Sequence, residues 1–179
     1  KKASFDLDLM GGYTWMDDPV FHRIRSMDPT TGQPMITIAP QHHRTSFTGM
    51  GFSTEVLGIV VRGEGAWYYD RSFMTLDPMI EEGIIEKDFL HYMAGLEKFV
   101  GEWKFSGQFI QEYLPEREQG MVREDSKELA TLMISRALFR ERLRVEWFSY
   151  VGITDEDALS RLRFFYDMKD GLTLEVGAN

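Results

Sequence analysis

The feature that most constrains this chain is an alternation of side-chain character with a period of two residues. In SFDLDLMGGYTW, residues 4–15, the odd positions are apolar or small and the even positions are mostly polar. The alternation recurs in EWKFSGQFIQEY (102–113), LSRLRFFYDMKD (159–170) and GLTLEVGAN (171–179). Successive side chains of a β-strand point to opposite faces of a sheet, so the pattern predicts long strands with one polar and one apolar face.

The segment IVVRGEGAWYYDRSF, residues 59–73, shows the same alternation in an unusual form. Arg62 and Glu64 share one face, whereas Gly63, Gly65 and Trp67 share the other. The glycine-rich stretch lacks the Lys-Ser/Thr of a phosphate-binding loop. Glycine within a strand is more typical of a close approach by a neighbouring group. We expect the two glycines to lie beneath the aromatic rings that follow them.

The connections between the predicted strands are alternately short and long. Short turns are predicted near 17–19, 58, 101, 141 and 170–171, and longer polar segments at 27–43, 71–87, 115–128 and 154–157. An up-and-down meander with tight turns at one end and long loops at the other produces this rhythm, which is typical of outer-membrane barrels. About ten strands of 8–14 residues result, and a tilted strand needs about 9–11 residues to cross a bilayer.

The fold class predicted for residues 1–179 is therefore all-β, a single antiparallel up-and-down transmembrane β-barrel domain or part of a larger barrel. A soluble β-barrel or sandwich remains open, because alternation alone does not say which face meets water. Aromatic residues near strand ends favour the membrane, where tyrosine and tryptophan collect at the interfaces. The expected interfacial residues are Trp15, Trp67, Tyr69, Trp103, Tyr113 and Trp147.

In a membrane barrel the polar face lines the lumen, where rings of charged side chains set selectivity. The opposing charges would either form a transverse field across an open lumen or neutralise one another in a plugged one. The candidate lumen-lining residues are Asp6, Asp8, Arg62, Glu64, Lys104, Glu112, Arg142, Arg144, Glu146, Arg161, Arg163 and Glu175.

Parts of the chain also resemble a known family. The segments GFSTEVLGIVVRGEGAWYYDRSF, KDFLHYMAGLEKFVGEWKFSGQFIQEYL and LRFFYDMKDGLTLEVGAN are similar to a family of uncharacterised bacterial outer-membrane β-barrel proteins. Members of that family are often encoded beside transporters of the resistance-nodulation-division type, and they are commonly longer. The resemblance implies a location in the outer membrane of a Gram-negative bacterium and a barrel of which this chain forms part.

Composition excludes several classes of function. The formal charge of -9, from 20 basic and 29 acidic residues, argues against a nucleic-acid partner. Nucleophile motifs are absent, and the chain has no cysteine. Asp6 and Asp8 could form a carboxylate pair, but any polar strand face produces that spacing. The pair His42-His43 lacks metal-ligand spacing, so we expect the four histidines to be surface loop residues. We predict no catalysis, no metal and no cofactor.

The predicted function is a channel or an export or uptake component that passes a small or amphiphilic solute through a charged lumen. Expected partners are membrane lipid, lipopolysaccharide and an envelope transporter or periplasmic protein. Two alternatives remain: a non-conducting barrel that serves as a structural or docking partner, and a soluble ligand-binding β-barrel.

Overall fold

A computed structural model describes residues 5–169 and 171–178. This part of the chain forms eleven β-strands of 7 to 17 residues. Within it, no helix is long and apolar enough to span a membrane. The strands are β1 (Phe5–Trp15), β2 (Val20–Met27), β3 (Pro34–Gln41), β4 (Arg44–Val56), β5 (Ile59–Met74), β6 (Ile84–Val100), β7 (Trp103–Tyr113), β8 (Ser126–Leu138), β9 (Leu143–Gly152), β10 (Asp157–Lys169) and β11 (Leu172–Ala178).

Nine of these strands form one antiparallel sheet in the order β1-β4-β5-β6-β7-β8-β9-β10-β11. From β4 onward each strand pairs with the next one along the chain, so this part is a simple meander. Strands β2 and β3 pair only with each other as a separate hairpin. The all-β, antiparallel prediction is confirmed. The sheet is not closed, and β1 and β11 form its two edges.

The hairpin of β2 and β3 corrects the predicted rhythm of the connections. The turn at 17–19 does not join neighbouring strands of the main sheet, because β1 pairs with β4. Residues 34–41, predicted as loop, form β3. Pro34 and Pro40 fit this strand, because both strands of an isolated hairpin are edge strands, where proline is tolerated.

The remaining connections follow the predicted short and long alternation. Four short turns lie at one end of the sheet, at 57–58, 101–102, 139–142 and around Gly171. At 57–58 both residues have positive φ, 53° and 75°, as a two-residue turn matched to strand twist requires. We call this the turn end. The opposite loop end carries segment 16–43 with the hairpin, and segments 75–83, 114–125 and 153–156.

The strand registers divide the side chains of the sheet between two faces. Cross-strand partners share a face, so pairs such as Ser53↔Arg62 and Glu146↔Arg163 define one face, and Leu7↔Phe52 and Trp147↔Leu162 define the other. We call the first the charged face. We call the second the apolar face, which carries Leu7, Leu9, Met50, Phe52, Val61, Ala94, Leu96, Phe109, Leu132, Val151, Leu162, Phe164 and Val176.

The apolar face is the more exposed of the two. Along β10, Leu162 and Phe164 are exposed, at 40% and 41%, whereas Arg161 and Arg163, which alternate with them, are half-buried. Leu9 and Leu96 are 76% and 58% exposed, whereas Glu146 on the charged face is only 8% exposed. A soluble sheet shows the opposite arrangement, with the apolar face inside.

The main buried hydrophobic cluster lies at the loop end of the charged face. Phe73, Phe89, Leu114 and Met121 form it, and Tyr68 packs against it. Phe89 sits opposite Tyr68 on neighbouring strands, and Leu114 and Met121 come from the loop that follows β7. The cluster therefore attaches segment 114–125 to the sheet.

Candidate functional site

The charged face carries eleven of the twelve candidate lumen-lining residues, on six of the nine strands. Arg142 is the exception, because it lies in the turn between β8 and β9 and belongs to no strand. The eleven residues are Asp6 and Asp8 on β1, Arg62 and Glu64 on β5, Lys104 and Glu112 on β7, Arg144 and Glu146 on β9, Arg161 and Arg163 on β10, and Glu175 on β11.

Ion pairs on this face run along the sheet, between neighbouring strands. Lys104 Nζ lies 2.9 Å from Glu97 Oε2 on β6. Arg163 donates to Glu146 on β9 and lies 3.5 Å from Glu175 on β11. The contact with Arg163 accounts for the burial of the Glu146 carboxylate, since buried charges need a partner. These pairs neutralise charge within the sheet.

Several charged residues of this face have no ion pair in the part of the chain that the structure describes. Within the described residues, Asp6, Asp8 and Glu64 have no ion-pair partner, and all three lie on β1 and β5. Arg144 and Arg161 also lack one, and they lie on β9 and β10, where they stack on Phe165 and Phe148. Arg62 and Arg71 on β5 and Asp157 and Asp167 on β10 have no ion pair either, so unpaired charge of both signs lies towards each edge of the described sheet.

The six predicted interfacial aromatics all lie on the apolar face. Trp15 and Tyr113 end β1 and β7 at the loop end, and Trp103 begins β7 at the turn end. The expected position near a strand end is wrong for Trp67 and Trp147, which lie in the middle of β5 and β9. Along β7, Trp103 and Tyr113 are the first and last of eleven residues. That span is about 34 Å along the strand and about 26 Å along an axis tilted by about 40°, close to the apolar band of a membrane barrel.

Polar groups accompany several of these rings. The Trp67 indole nitrogen donates to Asp88 at 3.2 Å, and Arg136 stacks on Trp103 at 5.0 Å. Arg44 stacks on Trp15 at 4.4 Å. Charged residues of the apolar face lie at its two ends. Between them, the cross-strand rows through Phe52 and Leu132 contain apolar side chains, glycine, serine and threonine.

The two glycines of the RGEGAW stretch were expected to lie beneath the aromatic rings that follow them. This expectation is wrong for Gly63. The ring of Phe52, its cross-strand partner on β4, covers it, so neither Trp67 nor Tyr69 does. A Cβ at Gly63 would lie 2.8 Å from Phe52 Cζ, whereas at Gly65 it would lie 3.4 Å from Tyr92 Cβ. Gly63 therefore permits an aromatic ring to lie flat on the sheet.

The expectation of surface loop histidines is wrong for His91, which lies within β6, and for His22. This residue of β2 is only 7% exposed, and its ring stacks on His43 with the two Nε2 atoms 2.6 Å apart. The contact ties β2 to the segment that enters β4. Among residues 5–169 and 171–178, no three His, Asp or Glu side chains converge in a way that would hold a metal ion.

Arg71 lies on the charged face, where the sequence pattern did not place it. Strict alternation from Arg62 and Glu64 assigns position 71 to the apolar face. The register between β5 and β6 shifts between Tyr68 and Arg71, however, and this β-bulge turns Arg71 onto the charged face opposite Lys87. Asp70 within an aromatic run was the available signal, since aspartate tolerates the positive φ, here 48°, that it adopts.

No protein-family model, curated protein or solved structure matches the chain. The function is therefore inferred from the geometry of the two faces.

Proposed function

We propose that this chain forms the wall of an outer-membrane β-barrel, with the charged face towards an aqueous lumen and the apolar face towards lipid. The barrel passes a small or amphiphilic solute passively, by lumen size and charge and without bond chemistry. The observation that carries the proposal is the inverted polarity of the sheet. Leu162 and Phe164 are exposed, while the alternating Arg161 and Arg163 are sheltered.

An apolar face of this extent is unfavourable in water. Soluble monomers rarely expose contiguous apolar patches larger than a few hundred Å². Here exposed leucine, phenylalanine and valine continue across the sheet from Leu7 on β1 to Val176 on β11. Lipid contact removes this cost, and the tryptophan and tyrosine residues at both ends match the aromatic girdles of membrane barrels.

The direction of the edge strands supports a barrel with strands beyond these nine. In an antiparallel sheet of nine strands the first and last run the same way, so β1 and β11 are parallel in direction. Pairing them directly would create a parallel junction, whereas bacterial single-chain outer-membrane barrels are antiparallel and even-stranded. An odd number of further strands would close the wall in antiparallel fashion.

The unpaired charges support a selective lumen. When the sheet curls with its charged face inward, unpaired side chains of both signs face the lumen, among them Asp6, Arg62, Glu64 and Arg144. Charged side chains that line a lumen set selectivity in channels. The lateral pairing of Arg163 with Glu146 and Glu175 keeps those charges against the wall.

Planar-bilayer conductance tests the proposal. The purified protein should require detergent to remain monodisperse and should produce steady ohmic currents. Arg62→Ala and Arg144→Ala should change the conductance or ion selectivity. Arg136→Ala, on the apolar face at the turn end, is the matched control and should leave both unchanged. A protein that is monodisperse without detergent contradicts the membrane assignment, and a detergent-dependent protein without current contradicts the channel.

One observation favours a non-conducting docking barrel as the second candidate. The β2–β3 hairpin stands outside the main sheet and packs on segment 75–83, where Arg23 donates to the Asp77 carbonyl at 2.8 Å. It also exposes Phe21, Ile36 and Ile38 on one face. Such a surface suits an envelope partner such as a transporter or a periplasmic protein. Absence of conductance together with membrane insertion would favour this candidate.

A further inference from the structure

The β-bulge on β5 gives the loop end of the charged face a feature that strict strand alternation would not produce. Before the bulge Tyr68 lies opposite Phe89, and after it Arg71 lies opposite Lys87. Phe89 and Lys87 are two positions apart on β6 and share a face. Arg71 is therefore turned inward, beside the rings of Tyr68 and Phe89. Bulges commonly re-aim a side chain next to a functional site.

A carboxylate on the opposite face holds the bulge in place. Asp88 Oδ1 accepts a hydrogen bond from the backbone nitrogen of Asp70 at 3.3 Å, and Asp88 Oδ2 accepts one from the Trp67 indole at 3.2 Å. Asp70 is the residue with positive φ. The inward orientation of Arg71 is thus supported by specific contacts of the residues around it.

Two guanidinium groups share the same aromatic rings. The Cζ atom of Arg71 lies 4.7 Å from the centroid of Phe89 and 5.9 Å from that of Phe73. The Cζ atom of Arg123, from segment 114–125, lies 4.9 Å and 5.9 Å from the same two centroids. Tyr68 adds a third ring, 5.4 Å from Arg71. The rings attract both cations through their negative faces.

These two arginines differ in their partners. Arg123 donates to Glu112, and the nearby Lys87 is paired with Glu116 and Glu118. Within the described residues Arg71 has neither an ion pair nor a hydrogen-bond acceptor, and its buried Nε donor is unsatisfied. An unpaired guanidinium beside a second one presents several donors for which an oxyanion is the matching ligand.

A groove lies next to this cluster on the charged face. It has a volume of about 150 Å³, and the residues that line it include Met10, Glu64, Ala66, His91 and Met93. Ala66 and His91 form the row next to that of Tyr68 and Phe89, about 7 Å away along the strands. The methionine side chains offer an adaptable apolar surface beside the arginine cluster.

We propose that Arg71 and Arg123 bind the anionic head group of an amphiphilic solute, a carboxylate or a sulfate, whose apolar body lies along the groove. The proposal rests on the proposed function, because it takes the charged face as the surface that the solute meets, and it narrows the solute class to organic anions.

Binding of three matched probes tests this site in the full chain in nanodiscs. The probes are 4-phenylbutyrate, 4-phenylbutan-1-ol and 4-phenylbutylammonium, which share an apolar body and differ in head-group charge. We expect saturable calorimetric binding of the anion, at least tenfold tighter than that of either other probe. Equal binding of all three would overturn the anion site. Inorganic sulfate, which has no apolar body, should bind more weakly than phenylbutyrate. Equal affinity of the two would show that the groove contributes nothing to binding.

Three variants separate recognition from folding. Arg71→Gln should weaken phenylbutyrate binding at least tenfold, because a hydrogen-bonded ion pair is lost. Glu112→Gln should tighten binding, because it releases Arg123, and a misfolded protein could not give that result. Arg136→Gln, a control on the apolar face at the turn end and away from the aromatic cluster, should bind as the parent does. Parental affinity in Arg71→Gln would overturn the assignment.

The binding assay and the conductance assay test the anion site and the channel separately. Selective phenylbutyrate binding without conductance would leave the site standing and contradict the channel. Conductance without selective binding would leave the channel standing and contradict the anion site.

Discussion

The ring of Phe52 lies directly over Gly63, its cross-strand partner, and stacks against Phe5 at a centroid distance of 6.4 Å. This relationship joins β1, β4 and β5 on the apolar face. Because the ring occupies the space of a Cβ at position 63, the packing of all three strands depends on the absence of a side chain there. Local overpacking of this kind typically costs about 1–3 kcal/mol.

We therefore expect Gly63→Ala to lower the free energy of unfolding by about 1–3 kcal/mol, because Phe52 must move. Gly65→Ala is the matched control, since its Cβ would meet Tyr92 at an ordinary contact distance of 3.4 Å. Urea unfolding in lipid or detergent measures both. In a Phe52→Ala background the cost of Gly63→Ala should vanish, and an unchanged cost there would show that the ring is not responsible.

A charge placed at the middle of the apolar face tests lipid contact. Leu132→Arg should destabilise the folded protein in a bilayer by about 2–4 kcal/mol, the cost of arginine at the midplane of a membrane barrel. Thr131→Arg is one residue away but on the charged face, and its effect should be small. Equal stabilities of the two variants in lipid vesicles would contradict the assignment of the two faces.

The buried carboxylate of Glu146 contributes to stability through Arg163. Glu146→Gln should cost about 1–3 kcal/mol, because a hydrogen bond to a charged group is weakened in a sheltered site. Glu102→Gln removes the partner of Arg136 in an exposed pair and should cost less than about 1 kcal/mol. Denaturation midpoints compare the two, and a larger effect at Glu102 would contradict the ranking.

The tip of the β2–β3 hairpin should respond to acid. The backbone N–H of Thr30, with further bonds from Thr31, holds the pKa of Asp28 below its ordinary value of 3.8. The stabilisation is therefore complete above the unfolded-state pKa and is lost as the pH falls through the lower folded-state value.

An NMR titration of Asp28, together with hydrogen exchange at the Thr30 amide, measures this dependence. Asp28→Asn retains an acceptor oxygen and should protect that amide without the acid-dependent loss. An Asp28 carboxyl that titrates at or above its ordinary value would contradict the expected stabilisation.

Period-two alternation predicted β1, β7, β10 and β11 with the correct faces, because side-chain direction along a strand is a local property. It failed where a distant contact decided the local structure. Arg71 changed face because Asp88 of β6 stabilises a bulge at Asp70. Segment 34–41 was predicted as loop, because its pairing with β2 is a contact between segments that the sequence pattern does not show. His22 is buried because His43 folds back on it.

The sequence by itself determined that this chain forms long antiparallel strands with one charged and one apolar face. The reason is that the alternation of polar and apolar residues is present in each strand separately. Only the tertiary structure decided which face is exposed, since exposure depends on what packs against the sheet. It also decided which charges pair: Arg163 meets Glu146 through the β9–β10 register, while Arg71 is left without a carboxylate partner among the described residues. Register and bulges arise from contacts between strands, and no single strand encodes them.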